Sequence, residues 1–130
     1  IDYGMKRTGL SVTDPLQIIV TGLDAVLTKD LMVYLESYFS KQNVEKVVIG
    51  LPTHKDGNFT YLKGDIDKLG LLITKKYPEI EVDYHDERFT SVMAKDIIMK
   101  SGVNKKKRQD KDLVDKVSAV IILQKYLKHI

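Results

Sequence analysis

The apolar residues of this 130-residue chain change period once, near Thr28, and that change narrows the choice of fold more than any other feature. Before it, Thr8 to Thr13 alternates as a strand does and halts at Asp14-Pro15, a turn signal. Ile18 to Leu23 reads as a further strand, and Ile1-Asp2-Tyr3-Gly4 as the end of one whose beginning lies ahead of Ile1. After it, Leu31, Tyr34, Leu35, Tyr38 and Phe39 recur at helical spacing behind a cap at Thr28 or Asp30. Val47-Val48-Ile49, closed by Gly50, has the continuous apolar character of a strand covered on both faces. A helix is expected from Tyr61 to Lys76, stopped by Pro78, and the alternation of Ile80, Val82 and Tyr84 with Glu81, Asp83 and His85 marks another strand. Thr90 opens a helix running to Gly102, and a last helix covers Asp112 to Lys128. The order β-β-β-α-β-α-β-α-α predicts an α/β fold, a five-stranded mixed sheet with helices on both faces, in a single domain spanning residues 1–130.

Composition restricts the chemistry. A chain of this length, 43% hydrophobic, removes roughly two-thirds of its unfolded surface from water and needs no disulfide to hold a core. No stretch nears the roughly 20 apolar residues of a membrane span, so a soluble, cytoplasmic protein is expected. With no cysteine there is no thiol nucleophile and no cysteine-ligated metal, and the three histidines (His54, His85 and His129) lack the close spacing of a zinc site. Carboxylates remain. The net charge of +3 conceals a cluster, because Lys105, Lys106, Lys107, Arg108, Lys111 and Lys116 fall within a short segment. A solvated loop is one reading of such a run, and a polyanionic partner is the sharper one.

Three acids fall where a sheet could gather them. Asp2 closes the first strand beside a glycine turn, and Glu87, in Asp86-Glu87-Arg88, follows the strand that begins near Ile80. Asp115 shares a helical arc with Ala119, Ile122 and Tyr126, whereas Gln124, Lys125 and Lys128 lie opposite, so a docked helix turns Asp115 inward. An inward carboxylate is costly unless it is paired, hydrogen-bonded or bound to a metal. Hard divalent cations take oxygen ligands, and two such ions can assist phosphodiester hydrolysis, which a basic loop before Asp115 would serve by holding the phosphates.

The motifs resemble one family. Asp2-Tyr3-Gly4-Met5-Lys6-Arg7-Thr8-Gly9 resembles its DYGTKRIG-type first hairpin, and Ser11-Val12-Thr13-Asp14-Pro15 the continuation. Val48-Ile49-Gly50-Leu51-Pro52 with Asp56-Gly57 is similar to its VVGLP...DG segment, and Asp86-Glu87-Arg88-Phe89-Thr90-Ser91 to its DERLTT motif. The run from Val114 to Gln124 is similar to its VDxxAAxxILQ helix. The family is YqgF, also called RuvX, a group described both as Holliday-junction resolvases and as pre-16S ribosomal RNA nucleases. The resemblance implies an RNase H-like fold and a nuclease using Mg²⁺ or Mn²⁺, with Asp2, Glu87 and Asp115 as catalytic and metal-holding acids. Lys6, Arg7, Lys105, Lys106, Lys107 and Arg108 would then contact nucleic acid, the protein being a monomer or a homodimer. Glu87 is preferred to Asp86 because it shares strand parity with Asp83 and His85. Met5, Phe89 and Lys116 depart from the family's usual residues without removing an acid.

Processing of the 5′ end of pre-16S rRNA is the reading favoured, with Holliday-junction resolution as the alternative. A nucleic-acid-binding domain without catalysis is a third, opposed by the presence of all three acids. The Asp2-x-Gly4 hairpin also resembles the phosphate turn of sugar kinases and actin-like ATPases, but those enclose nucleotide between two lobes, and this chain has length for one.

Overall fold

The computed structural model of the chain describes residues 1–52, 61–87, 90–101 and 111–130. Strand β1 (Arg7–Thr13) pairs antiparallel with β2 (Val20–Leu27), and β3 (Lys46–Pro52) pairs parallel with β4 (Glu81–Glu87). The helices are α1 (Leu31–Lys41), α2 (Lys63–Lys76), α3 (Thr90–Lys100) and α4 (Lys111–Tyr126), with a 3-10 turn at Thr28–Asp30 before α1.

The expected five-stranded mixed sheet of RNase H-like type is not what forms, because the four strands make two separate two-stranded sheets, β1-β2 and β3-β4. In place of a first strand, Ile1 and Asp2 sit between them as a short bridge. The Ile1 amino group donates to the Val48 carbonyl at 2.7 Å, and the Gly50 N–H donates to the Ile1 carbonyl at 2.9 Å. Asp2 exchanges both backbone hydrogen bonds with Gly9 at 2.9 and 3.0 Å.

Strand β2 also begins later than its apolar run. Asp14 accepts hydrogen bonds from the backbone N–H groups of Ile18 and Ile19 at 2.8 and 2.7 Å, and Gln17 takes a left-handed φ of 58°, so this stretch is spent on the turn. The strand then continues to Leu27, because Arg7, Thr8 and Gly9 supply partners for Leu27, Val26 and Ala25. Neither proposed cap of α1 operates as one: Asp30 makes no side-chain bond to the helix, and the Thr28 hydroxyl donates to the Gly4 carbonyl at 2.6 Å. With its proton engaged there, Thr28 accepts from the buried Thr8 hydroxyl at 2.9 Å, which ties the turn after Asp2 to the start of the 3-10 helix.

The main core joins Leu10, Leu31, Leu35, Val47, Ile49, Ile66, Leu69, Ile73 and Ile80, drawn from β1, α1, β3, α2 and the lead into β4. The other side of the strands has a different texture. Strand neighbours of the core residues are small there (Gly9, Ser11, Gly22 and Gly50), and α4 lies across them with Ala119, Ile121 and Ile122 buried. Ser11 fixes the approach by donating its hydroxyl to the Ala119 carbonyl at 2.8 Å. Helix α4 ends in a Schellman-type turn, in which Lys128 adopts φ 61° and the His129 N–H returns to the Gln124 carbonyl at 2.8 Å. Helix α3 packs against α4.

Candidate active site

Parallel pairing puts the ends of β3 and β4 side by side, with Pro52 opposite Glu87 and Gly50 opposite His85. Glu87 is the last residue of β4 and is buried at 8% exposure, whereas its neighbour Asp86 is exposed, as strand alternation requires. The Glu87 side chain turns across Gly50: a methyl group on Gly50 would lie 2.9 Å from the Glu87 carboxyl carbon and 2.7 Å from Ile122. Glycine at position 50 therefore leaves the room through which the carboxyl reaches Asp2, whose backbone neighbour Ile1 is bonded to the same Gly50.

The Asp2 and Glu87 side chains are close enough to act on each other's proton affinity, Glu87 holding its proton the more tightly of the two. Burial is the main reason both carboxyls hold protons more tightly than usual. Glu87 is pushed up to about 9 by burial, then by the negative charge of Asp2 and the hydrogen bond to it. Asp2 is raised to about 6 by burial and by the charge of Asp115, while the Ile1 amino group and the bond from Glu87 act in the opposite sense. Asp115 is half-buried on the first turns of α4. It is held close to β1 by Gly9, where an added methyl would come within 2.0 Å of the Asp115 carbonyl oxygen.

The three acids singled out in the sequence thus belong to one electrostatic neighbourhood, assembled from the Ile1-Asp2 bridge, the end of β4 and the start of α4. Among the described residues there is no group of three histidines, cysteines or carboxylates already gathered to hold a metal ion. The donor set is nevertheless suited to one. Three neighbouring carboxyls, Asp2, Glu87 and Asp115, present the all-oxygen, anionic environment that a hard divalent cation favours.

The basic residues fare differently. Lys6 is exposed on the turn after Asp2. Arg7 is engaged, its Nε lying 3.3 Å from Asp112 in the first turn of α4. Lys105, Lys106, Lys107 and Arg108 lie outside the described residues. Lys116 is exposed, and its aliphatic stem crosses Gly22, where a methyl group would meet it at 2.7 Å.

Sequence reasoning missed the glycines. Gly9 and Gly50 admit Asp115 and Glu87 to the site, and glycine inside a strand is a recognisable mark of close approach by another backbone or side chain.

Residues 1–129 match the RuvX family, described as Holliday junction resolvase. A provisionally named pre-16S rRNA nuclease of Bacteroides thetaiotaomicron is 44% identical over 128 residues, covering 98% of this chain and 93% of its own length. One of the same name from Porphyromonas gingivalis is 49% identical over 127 residues, covering 98% and 92%. A third, from Flavobacterium psychrophilum, is 43% identical, covering 98% and 93%. No helix among the described residues is long and apolar enough to cross a membrane.

Proposed function

Because the chain belongs to the RuvX family of nucleases, we propose that it hydrolyses phosphodiester bonds at the Asp2, Glu87 and Asp115 site, with the 5′ end of precursor 16S rRNA as its substrate. The observation that supports this reading is the convergence of three acids: Gly50 leaves room for the Glu87 carboxyl beside the Ile1-Asp2 bridge, and Gly9 seats the part of α4 that carries Asp115 against β1, next to Asp2. Burying two carboxyls together opposes folding unless one is protonated or a cation offsets their charge. Asp2, Glu87 and Asp115 would hold Mg²⁺ or Mn²⁺, which when bound supplies activation of the attacking water and stabilisation of the leaving oxygen.

The remaining work falls to the chain itself. Gly9 and Gly50 keep α4 and the Glu87 carboxyl close to Asp2. Asp112 is exposed and Arg7 half-buried, so a backbone phosphate could compete with Asp112 for the guanidinium. Lys6 stands on the same turn, and Lys105, Lys106, Lys107 and Arg108 add the positive charge expected of a phosphate-binding segment.

The relatives' names favour an RNA precursor, while the family's description names a four-way DNA junction, and carboxylate-held metals do not themselves distinguish the two. The test is cleavage of an RNA carrying the 16S precursor 5′ end and of a synthetic four-way DNA junction, side by side with Mn²⁺. Faster, site-specific cutting of the RNA is expected. Preferential cutting of the junction would transfer the assignment to DNA, and cutting of neither would remove it.

A further inference from the structure

Lys116 follows Asp115 directly on α4 and is exposed, yet its stem has a fixed seat. It lies along the backbone of Gly22 in β2, where a methyl group would stand 2.7 Å from both Cγ and Cε of Lys116 and 3.3 Å from Cδ. Three carbons of one side chain fill the space that a glycine leaves open on the strand. The ammonium at the tip makes no hydrogen bond or ion pair among the described residues, unlike Arg7, which lies 3.3 Å from Asp112. A seated stem carrying a charge without a partner is already ordered when a ligand arrives. Strand pairing then locates this cation relative to the acids. Gly22 pairs with Ser11, the Asp115 backbone lies over Gly9, and Arg7 is on the other side of Gly9, opposite Leu27. At about 3.3 Å per residue the four residues from Arg7 to Ser11 span about 13 Å, too far for one phosphate group to bridge. Arg7 and the seat of Lys116 therefore stand on either side of Asp115 along β1.

We propose that Lys116 binds a backbone phosphate of the nucleic acid, a different one from that at Arg7, so that the strand to be cut runs along the β1–β2 hairpin past Asp115. The inference rests on the nuclease reading for the identity of the polyanion, and it adds a substrate contact which that reading does not require. Gly22 is part of the device, because a side chain there would lift the lysine stem off β2. A phosphate contact of this kind fixes where the backbone lies and carries no sequence preference of its own.

Three variants separate a seated phosphate contact from a solvated surface charge. Binding of the 16S precursor RNA and of the four-way DNA junction is followed by fluorescence anisotropy, without divalent metal, between about 50 and 200 mM salt. Lys116→Met keeps the stem and removes the ammonium. Affinity should fall about fivefold at about 0.1 M salt, and the slope of log K against log salt should flatten by about 0.7–0.9. Gly22→Ala keeps every charge and should fold, since only a flexible side chain stands in the way of its methyl group. Its affinity should fall about threefold or more, because the unseated lysine must be ordered on binding. Lys41→Met removes an exposed charge at the C-terminal end of α1 and should stay within about twofold of wild type. A wild-type salt slope in Lys116→Met, or an equal loss in Lys41→Met, would overturn the proposal. Wild-type affinity in Gly22→Ala would overturn the role of the seat. If the affinities separate as expected but wild type cuts no nucleic acid with Mn²⁺, the nuclease reading fails and the Lys116 contact stands; wild type that binds neither nucleic acid would overturn both.

Discussion

Replacing Gly9 by alanine should uncouple the two halves of the site by pushing α4 off β1. The added methyl would stand 2.0 Å from the Asp115 carbonyl oxygen and 2.5 Å from its carbonyl carbon, where ordinary contact begins near 3.4 Å. Both obstacles are backbone, so no side chain can rotate out of the way, and strand and helix must separate by more than an ångström. Overpacking of this kind costs about 1–3 kcal/mol. The Ser11 hydrogen bond to the Ala119 carbonyl, 2.8 Å long and on the same seam, would stretch with it and add about 1 kcal/mol. The expected loss is about 2–4 kcal/mol, and at roughly 4 °C per kcal/mol for a chain of this size the melting temperature should fall by about 8–16 °C. Cleavage should be lost at temperatures where the variant is still folded, because Asp115 retreats from Asp2. Gly64→Ala is the matched control: nothing lies within 4 Å of its added methyl, and in α2 it should stabilise by about 0.5–1 kcal/mol. Urea and thermal unfolding followed by circular dichroism, with cleavage assayed in parallel, measure both outcomes. A Gly9→Ala protein melting within about 2 °C of wild type and cutting normally would refute the claim that this glycine seats the helix.

Two further outcomes follow from the electrostatics. Glu87 binds its proton more tightly folded than unfolded, so its contribution to the stability of the metal-free protein is present below the ordinary carboxylate range and lost as pH rises from about 4.5 towards about 9. The Ile1 amino group, lowered to about 6 by burial, contributes in the opposite sense over about pH 6–8, so the Glu87 contribution is read as a difference. Relative to Glu87→Gln, the metal-free wild type should lose stability as pH rises from about 5 to 8, and a difference of opposite sign in urea titrations would contradict the raised proton affinity of Glu87. Tyr126 donates to Asp83 at 2.6 Å and accepts from Lys46 at 3.0 Å, and its hydroxyl is the leading reason the Asp83 carboxyl is held below the usual range. Tyr126→Phe should restore the Asp83 titration towards its ordinary range by NMR and cost about 1 kcal/mol while leaving cleavage intact, since this contact lies at the far end of α4 from Asp115.

Much of this arrangement was legible from residue order, for reasons that can be stated. The helical stripe from Leu31 to Phe39 and the apolar run Val47-Val48-Ile49 are strong periodic signals, and both became the elements they suggested. Strand alternation puts Glu87 and Asp86 on opposite faces of β4, Glu87 buried and Asp86 exposed. Of the arc through Asp115, Ala119, Ile122 and Tyr126, Ala119 and Ile122 are buried, whereas Asp115 and Tyr126 are half-buried. What failed depended on interactions distant in sequence or on local competition. Ile18 and Ile19 look like strand residues but serve the Asp14 turn. Thr28 looks like a helix cap but spends its hydroxyl on Gly4, 24 residues away. The single five-stranded sheet was inferred from element order, which does not reveal that the described strands pair as two separate two-stranded sheets. The closeness of α4 to β1 and of Glu87 to Asp2 was hidden in Gly9 and Gly50, residues that carry no chemistry of their own.

The central claim is that Asp2 and Glu87, with Asp115, form the cation site on which nuclease action depends. It is tested most directly by Mn²⁺ titration calorimetry of wild type and folded Asp2→Asn, paired with cleavage of the 16S precursor RNA. Saturable Mn²⁺ binding and metal-dependent cutting in wild type, both lost in Asp2→Asn, are expected. Unchanged Mn²⁺ affinity and undiminished cutting in Asp2→Asn would contradict the account.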